Sequence, residues 1–160
     1  FGGEMKVWLL QLLAPAAGDD VSALPSTLKE HLDVLRASDP QSMPRALEDG
    51  FIPLLAVQRM KQPQMSLAAL ALPKRTSGFY ARDNLSHFLV SVQQLFPNLS
   101  SFCPLLPDPG DFLDAGKHRT IITFLFHVAR AASRSISYAG PIPDLLRQEI
   151  ALDEAPPISD

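Results

Sequence analysis

The chain has 160 residues, 46% hydrophobic and 19% charged, which is enough for one domain with a buried core and too little for two. The net charge of −3 gives no bulk attraction to nucleic acid or to an anionic membrane, so neither is a predicted partner. The single cysteine, Cys103, excludes an internal disulfide and a multi-cysteine zinc site, and no apolar run approaches the ~18 residues of a membrane span.

The chain opens with Phe-Gly-Gly-Glu-Met, which is neither an initiator methionine nor the basic head of a signal peptide, and this predicts a piece of a longer protein. A first helix is predicted over residues 4–13, where apolar side chains recur at helical spacing. Residues 14–25 form a loop. Thr27 and Glu30 then have the spacing of a capping box, which predicts a second helix over 27–37.

A third helix is predicted from Met43 and Pro44 to Leu55, because proline is tolerated in a first turn. Pro53 lies in the middle of this segment, so the helix either kinks there or divides into two shorter pieces. Between two prolines, residues 67–72 predict a short helix.

The next helix is predicted to begin at Ala81 or Arg82 and to end at about Phe96, before a proline. Asp83 and Asn84 in its first turn are predicted to cap the free N–H groups and to complement the helix dipole. This interpretation is preferred to one in which Arg82 forms part of an exposed docking patch, and Arg82 is expected to pair with a carboxylate of another helix. The apolar face holds Leu85, Phe88, Leu89, Val92 and Leu95.

Residues 97–110 contain four prolines and predict a loop with at most one helical turn near Leu105. Residues 117–134 form the strongest helix, which is too apolar for a surface helix and is therefore expected to be central and buried, with Leu125 among its core residues. A short helix follows within 141–152, and residues 153–160 form an acidic, proline-rich tail. No segment alternates with period two, so the predicted fold class is all-α.

Three stretches resemble the calponin-homology domain, and most closely the variety found in growth-arrest-specific-two-like proteins. The first helix contains Trp8 and Leu9, as that family's first helix does. Residues 46–55, Ala-Leu-Glu-Asp-Gly-Phe-Ile-Pro-Leu-Leu, are similar to its "Leu-x-Asp-Gly-hydrophobic-x-Leu" helix. Residues 79–84, Phe-Tyr-Ala-Arg-Asp-Asn, followed by Phe88 and Leu89, resemble the signature that opens its next core helix.

The resemblance covers most of the chain and implies a compact bundle of about six to seven helices over residues 1–140. It further implies a non-enzymatic, cytoplasmic module of the cytoskeleton that binds actin or microtubules and needs no cofactor. The chain departs from the family pattern in its long 14–45 region with an extra helix, in Pro53, and in its proline-rich 97–110 loop.

The charge distribution suggests where such a module would bind. Residues 59–86 carry five basic side chains against one acid, and residues 115–140 carry four against none, whereas residues 19–49 carry seven acids. A basic face suits the acidic surfaces of filaments, and ordinary solvated helix faces are an equally good explanation. The residues predicted for a binding face are Lys74, Arg75, Arg82, Lys117 and Arg119.

The remaining candidate chemistry is sparse. The four histidines are scattered without ligand spacing, so no metal site is predicted, and Cys103 is interpreted as a packed thiol. Two alternatives to filament binding remain. In the first, the chain is a docking or scaffold domain of a ciliary or centrosomal assembly, and the 14–45 and 97–110 segments form its docking surface. The other is an unrelated helical enzyme, which a deep pocket with convergent acids would reveal.

Overall fold

A computed structural model describes residues 2–15, 18–135 and 138–154. All regular structure in these ranges is helical, which confirms the all-α prediction. The helices are α1 (Gly2–Leu12), α2 (Ser26–Ala37), α3 (Phe51–Lys61), α4 (Phe79–Leu95), α5 (Leu99–Phe102), α6 (Pro109–Phe112), α7 (His118–Ser133) and α8 (Asp144–Glu154). Short 3-10 turns lie at Val21–Ala23, Met43–Leu47, Leu67–Ala69 and Ala115–Lys117. None of the helices in these ranges has both the length and the apolarity to cross a membrane.

Helix α7 lies at the centre of the bundle, as its composition predicts. It packs against α1, α5, α6 and the 43–47 turn, and most of its apolar side chains are buried, including Leu125. Phe88 of α4 meets Phe124 of α7 and Phe112 of α6 edge-on, with ring centroids 6.3 and 6.4 Å apart. These three rings join α4, α6 and α7 into one core.

The segment after α7 is attached to α1 through one carbonyl. The Trp8 indole N–H and the Tyr138 hydroxyl both donate to the carbonyl oxygen of Pro141, at 3.1 and 2.6 Å. Burial raises the pKa of Tyr138 to about 12, so the hydroxyl remains a donor at neutral pH. Trp8 therefore fills the core and fixes the approach to α8.

The predicted capping box of α2 is wrong. The helix begins at Ser26, directly after Pro25, and no side chain caps it. Thr27 is therefore the second residue inside the helix, where its hydroxyl is past the capping position.

The third predicted helix divides into two pieces, which was one of the two alternatives. The 3-10 turn Met43–Leu47 and helix α3 are separated at Gly50, so the break precedes Pro53. Pro53 is the third residue of α3, where an N–H would have no partner within the helix. Its missing N–H therefore costs no hydrogen bond, and α3 continues through it.

Three further boundaries differ from the sequence prediction. Residues 67–72 form only the 3-10 turn Leu67–Ala69. The loop over 97–110 has its helical turn at α5 rather than near Leu105, and α6 begins at its end with an Asp108 capping box. Helix α8 reaches Glu154, two residues into the predicted tail, and the rest of that tail lies outside the described residues.

Candidate functional site

The two motifs that carry the family resemblance meet at a junction between α3 and α4. Gly50 has φ +77°, and a Cβ there would overlap the Cβ of Asn84. One Asp49 carboxylate oxygen accepts the Phe51 N–H at 3.0 Å, which gives the first N–H of α3 a partner. The Asn84 side-chain amide donates to the Asp49 carbonyl at 3.1 Å and to the Arg75 carbonyl at 3.0 Å. We call this cluster the Asn84 junction.

His31 of α2 completes the Asn84 junction. Its Nε2 lies 2.7 Å from the second carboxylate oxygen of Asp49, and its Nδ1 lies 2.7 Å from the Thr27 carbonyl. Its ring stacks on Phe51 with centroids 3.7 Å apart. The junction thus ties α2, α3 and α4 together. The sequence analysis missed this role, because only the fold brings His31 beside Asp49.

Neither Asp83 nor Asn84 caps α4. The helix begins at Phe79 after Gly78, so both residues lie beyond its first turn, and no side-chain cap is formed. The Asp83 carboxylate instead lies 3.6 Å from the Nε2 atom of His87 one turn later, at an exposed position. The predicted capping role is wrong because the helix starts earlier than the charged residues suggest.

The Asn84 junction presents an exposed cluster that we call the basic tip: Lys74, Arg75, Phe79 and Tyr80. The Arg75 guanidinium lies over the Tyr80 ring, 4.9 Å from its centroid, and also donates to the Tyr80 hydroxyl. Phe79 is 75% exposed and contacts Tyr80 edge-on at 5.9 Å. Lys74 is exposed and has no ion pair within the described ranges. The tip therefore combines two cations with two solvent-facing aromatic rings.

The other three predicted binding residues, Arg82, Lys117 and Arg119, make no contact with the cations of the basic tip among the described hydrogen bonds and ion pairs. Arg82 extends towards α6, where its guanidinium is 3.8 Å from the Asp108 carboxylate, as expected for pairing with a carboxylate of another helix. Lys117 and Arg119 are exposed at the start of α7. No side-chain hydrogen bond or ion pair among the described residues connects these three to Lys74 or Arg75.

A cavity of about 500 Å³ is an open groove between the proline-rich loop and α7, which we call the loop groove. It is lined by Phe102, Cys103, Pro104, Leu105, Pro107, Arg119, Thr120, Thr123, Phe124 and His127. Burial, with the nearby Arg130 charge, lowers the pKa of His127, so its ring is neutral at pH 7. Burial raises the pKa of the Cys103 thiol, which favours the unreactive protonated form.

A smaller cavity of about 340 Å³ lies beside the 14–45 region, between the end of α1 and helix α2. The nearby loop is held by the buried Arg59, whose guanidinium donates to the carbonyls of Ala14 and Met65 at 2.6 and 2.5 Å. Burial lowers the pKa of Arg59, and the charge of Asp19 opposes that shift. Both segments expected to build a docking surface thus line cavities.

Among the described residues, no three His, Cys, Asp or Glu side chains are grouped as metal ligands would be. The described lining of the loop groove contains no carboxylate either. What the groove offers chemically is an apolar surface with one cation, which suits binding.

Comparison of the chain with protein-family models, curated proteins and solved structures finds no match in any of the three.

Proposed function

We propose that the chain is a calponin-homology-like, non-enzymatic module that binds a cytoskeletal filament, a microtubule or actin, through the basic tip. The observation that carries the proposal is the Asn84 junction. Asn84, from one family-like motif, bonds the carbonyl of Asp49 in the other and also holds the backbone of Arg75. A residue responsible for the resemblance therefore anchors the backbone at Arg75, one of the cations that the proposal assigns to filament contact.

The five predicted binding residues make unequal contributions in this proposal. Lys74 and Arg75 provide the main attraction to an acidic filament surface, with Lys117 and Arg119 as a second basic group. Arg82 contributes less, because the Asp108 carboxylate offsets part of its charge. The exposed Phe79 adds an apolar contact beside the cations.

Cosedimentation with microtubules and with actin filaments, over a salt series, tests this proposal. The chain should pellet at low salt with one of the polymers and be released as salt screens the charges. The double variant Lys74→Glu and Arg75→Glu should abolish pelleting. The matched control, Arg45→Glu and Lys61→Glu, makes the same charge change at two exposed residues and should pellet normally. If both double variants lose pelleting equally, or if the unaltered chain does not pellet at low salt, the proposal is contradicted.

A docking or scaffold role in a ciliary or centrosomal assembly is the second candidate. It is favoured by the loop groove, because the proline-rich segment that departs from the family pattern forms one wall of this cavity. In cells, charge reversal at Lys74 and Arg75 distinguishes the two candidates. Loss of filament decoration supports filament binding, whereas an unchanged location supports docking.

A further inference from the structure

We propose that the loop groove binds a short amphipathic helix of a partner protein, with two or three apolar side chains on the groove floor and one carboxylate on Arg119. The site is separate from the basic tip and shares only Arg119 with the surface proposed for filament contact, so the inference goes beyond filament binding and does not rest on it. The apolar floor, the charge of the rim and the rigidity of the walls each support this choice of partner.

The wall of the loop groove that the proline-rich segment forms is apolar, and much of it is accessible. Phe124 of α7 lies at the bottom of the groove, where it is 2% exposed and packs on Phe88, and the half-buried Phe102 comes from α5. Leu105 stands at the wall with 87% of its surface exposed, between Pro104 and Pro107. A cavity of about 500 Å³ accommodates a few apolar side chains, as in grooves that accept the apolar face of a helix. A partner there would cover surface that the fold leaves in water.

The charge of the groove selects an acidic residue in the partner. Among the described residues that line the groove, Arg119 alone is charged at neutral pH, because His127 is then neutral. Arg119 has no hydrogen bond or ion pair among the described residues. The neighbouring Arg130 is unavailable, since it is bound to Glu149 at 3.1 Å and lies over the Phe102 and Phe126 rings. A carboxylate facing Arg119 would form a charge-assisted, two-pronged pair.

The walls are fixed before any partner arrives. Arg130 of α7 lies 5.7 Å from the Phe102 ring centroid, which links the loop to the central helix. The Cys103 N–H donates to the Leu99 carbonyl at 2.9 Å, and its thiol lies 3.2 Å from the Leu105 carbonyl. A preformed groove requires little ordering of its own residues on binding. The described lining holds Arg119 as its one cation at neutral pH, which suits a single carboxylate side chain.

Selection of a display library of 14-residue helical peptides on the immobilised full chain tests the inference, followed by fluorescence polarisation with the enriched peptides. We expect enrichment of apolar residues three and four apart with an Asp or Glu one turn away. Arg119→Glu should weaken binding by about tenfold or more, and the peptide with its acid replaced by Lys should regain affinity for that variant. Enrichment without the acidic position, absence of enrichment, or failure of the charge exchange to restore binding would overturn the inference.

Leu105→Ser separates this inference from filament binding. The residue is exposed, so the substitution leaves the core intact, and circular dichroism checks the fold. It should reduce peptide affinity by about tenfold while leaving filament pelleting unchanged. The control variant Lys61→Glu should retain peptide affinity. Unaltered peptide binding by Leu105→Ser would show that the peptides bind outside the loop groove.

Discussion

Among single side chains, Asn84 has the clearest structural task, because its one amide group serves two backbone carbonyls on separate segments. Asn84→Ala should lower the free energy of unfolding by about 1–3 kcal/mol, since both carbonyls lose their donor in a partly buried site. Asp83→Ala, at the exposed neighbouring position, should change it by less than ~0.5 kcal/mol because Asp83 caps nothing. Urea denaturation of both variants measures the difference. A larger cost at Asp83 than at Asn84 would restore the capping interpretation.

Two features favour glycine at position 50: its left-handed backbone conformation and the close approach of Asn84. Gly50→Ala should cost about 2 kcal/mol or more, because a left-handed backbone disfavours a side chain and the new Cβ would overlap Asn84. Gly18 provides the matched control. Its φ is +91°, but a Cβ there meets no described atom within 4 Å, so Gly18→Ala should show only the conformational cost of about 1 kcal/mol. Equal losses of stability would mean that the contact with Asn84 contributes nothing.

Among the helices, α8 is attached to the bundle by a few specific contacts rather than by a broad apolar face. Leu146 is its one fully buried residue, and Glu149 accepts from Arg130 and Arg134 of the α7 region at 3.1 and 3.0 Å. Arg134 also pairs with Asp153 at 2.5 Å. Burial tends to raise the pKa of Glu149, but the hydrogen bonds from the two arginines outweigh it and lower the pKa below its ordinary value.

This lowered pKa predicts how the attachment of α8 depends on pH. The folded state binds the Glu149 proton more weakly than the unfolded state, so the stabilisation is complete above the ordinary value of 4.5. It is lost as pH falls below that value and through the folded pKa. The stability difference between the unaltered chain and Glu149→Gln should therefore shrink on acidification. Urea denaturation over a pH series measures it, with Glu30→Gln, at an exposed carboxylate of α2, as the charge-matched control. A difference independent of pH would contradict the ion-pair attachment.

At the scale of the whole molecule, one cluster of buried apolar residues receives side chains from all eight helices. Thermal unfolding should therefore be a single transition, with an enthalpy of about 100 kcal/mol near 60 °C for a chain of this length. Differential scanning calorimetry should give equal calorimetric and van't Hoff enthalpies. An earlier, separate transition removed by truncation before Asp144 would show that α8 unfolds independently.

Much of the architecture could be predicted from apolar spacing. The all-α class, the central position of α7 and the boundaries of most long helices follow from periodic burial, which is a local property of the sequence. Predictions based on capping residues were wrong for α2 and α4. Both helices begin earlier than the polar residues suggest, because Ser26 and Phe79 extend them without any side-chain cap. End effects of about 1 kcal/mol are easily outweighed by packing.

The candidate sites depend on contacts between distant segments. Composition and apolar spacing alone show which residues are basic, which helix is buried, and that the 97–110 loop is rich in proline. The contacts of Asn84 with Asp49 and Arg75, the position of His31 beside Asp49, and the position of Arg119 at an apolar groove became visible only in the folded chain. The difference arises because periodicity indicates which face of a helix is buried but not what covers that face. Which side chains of distant segments contact each other depends on how the buried faces pack, and the sequence of one segment does not contain that information.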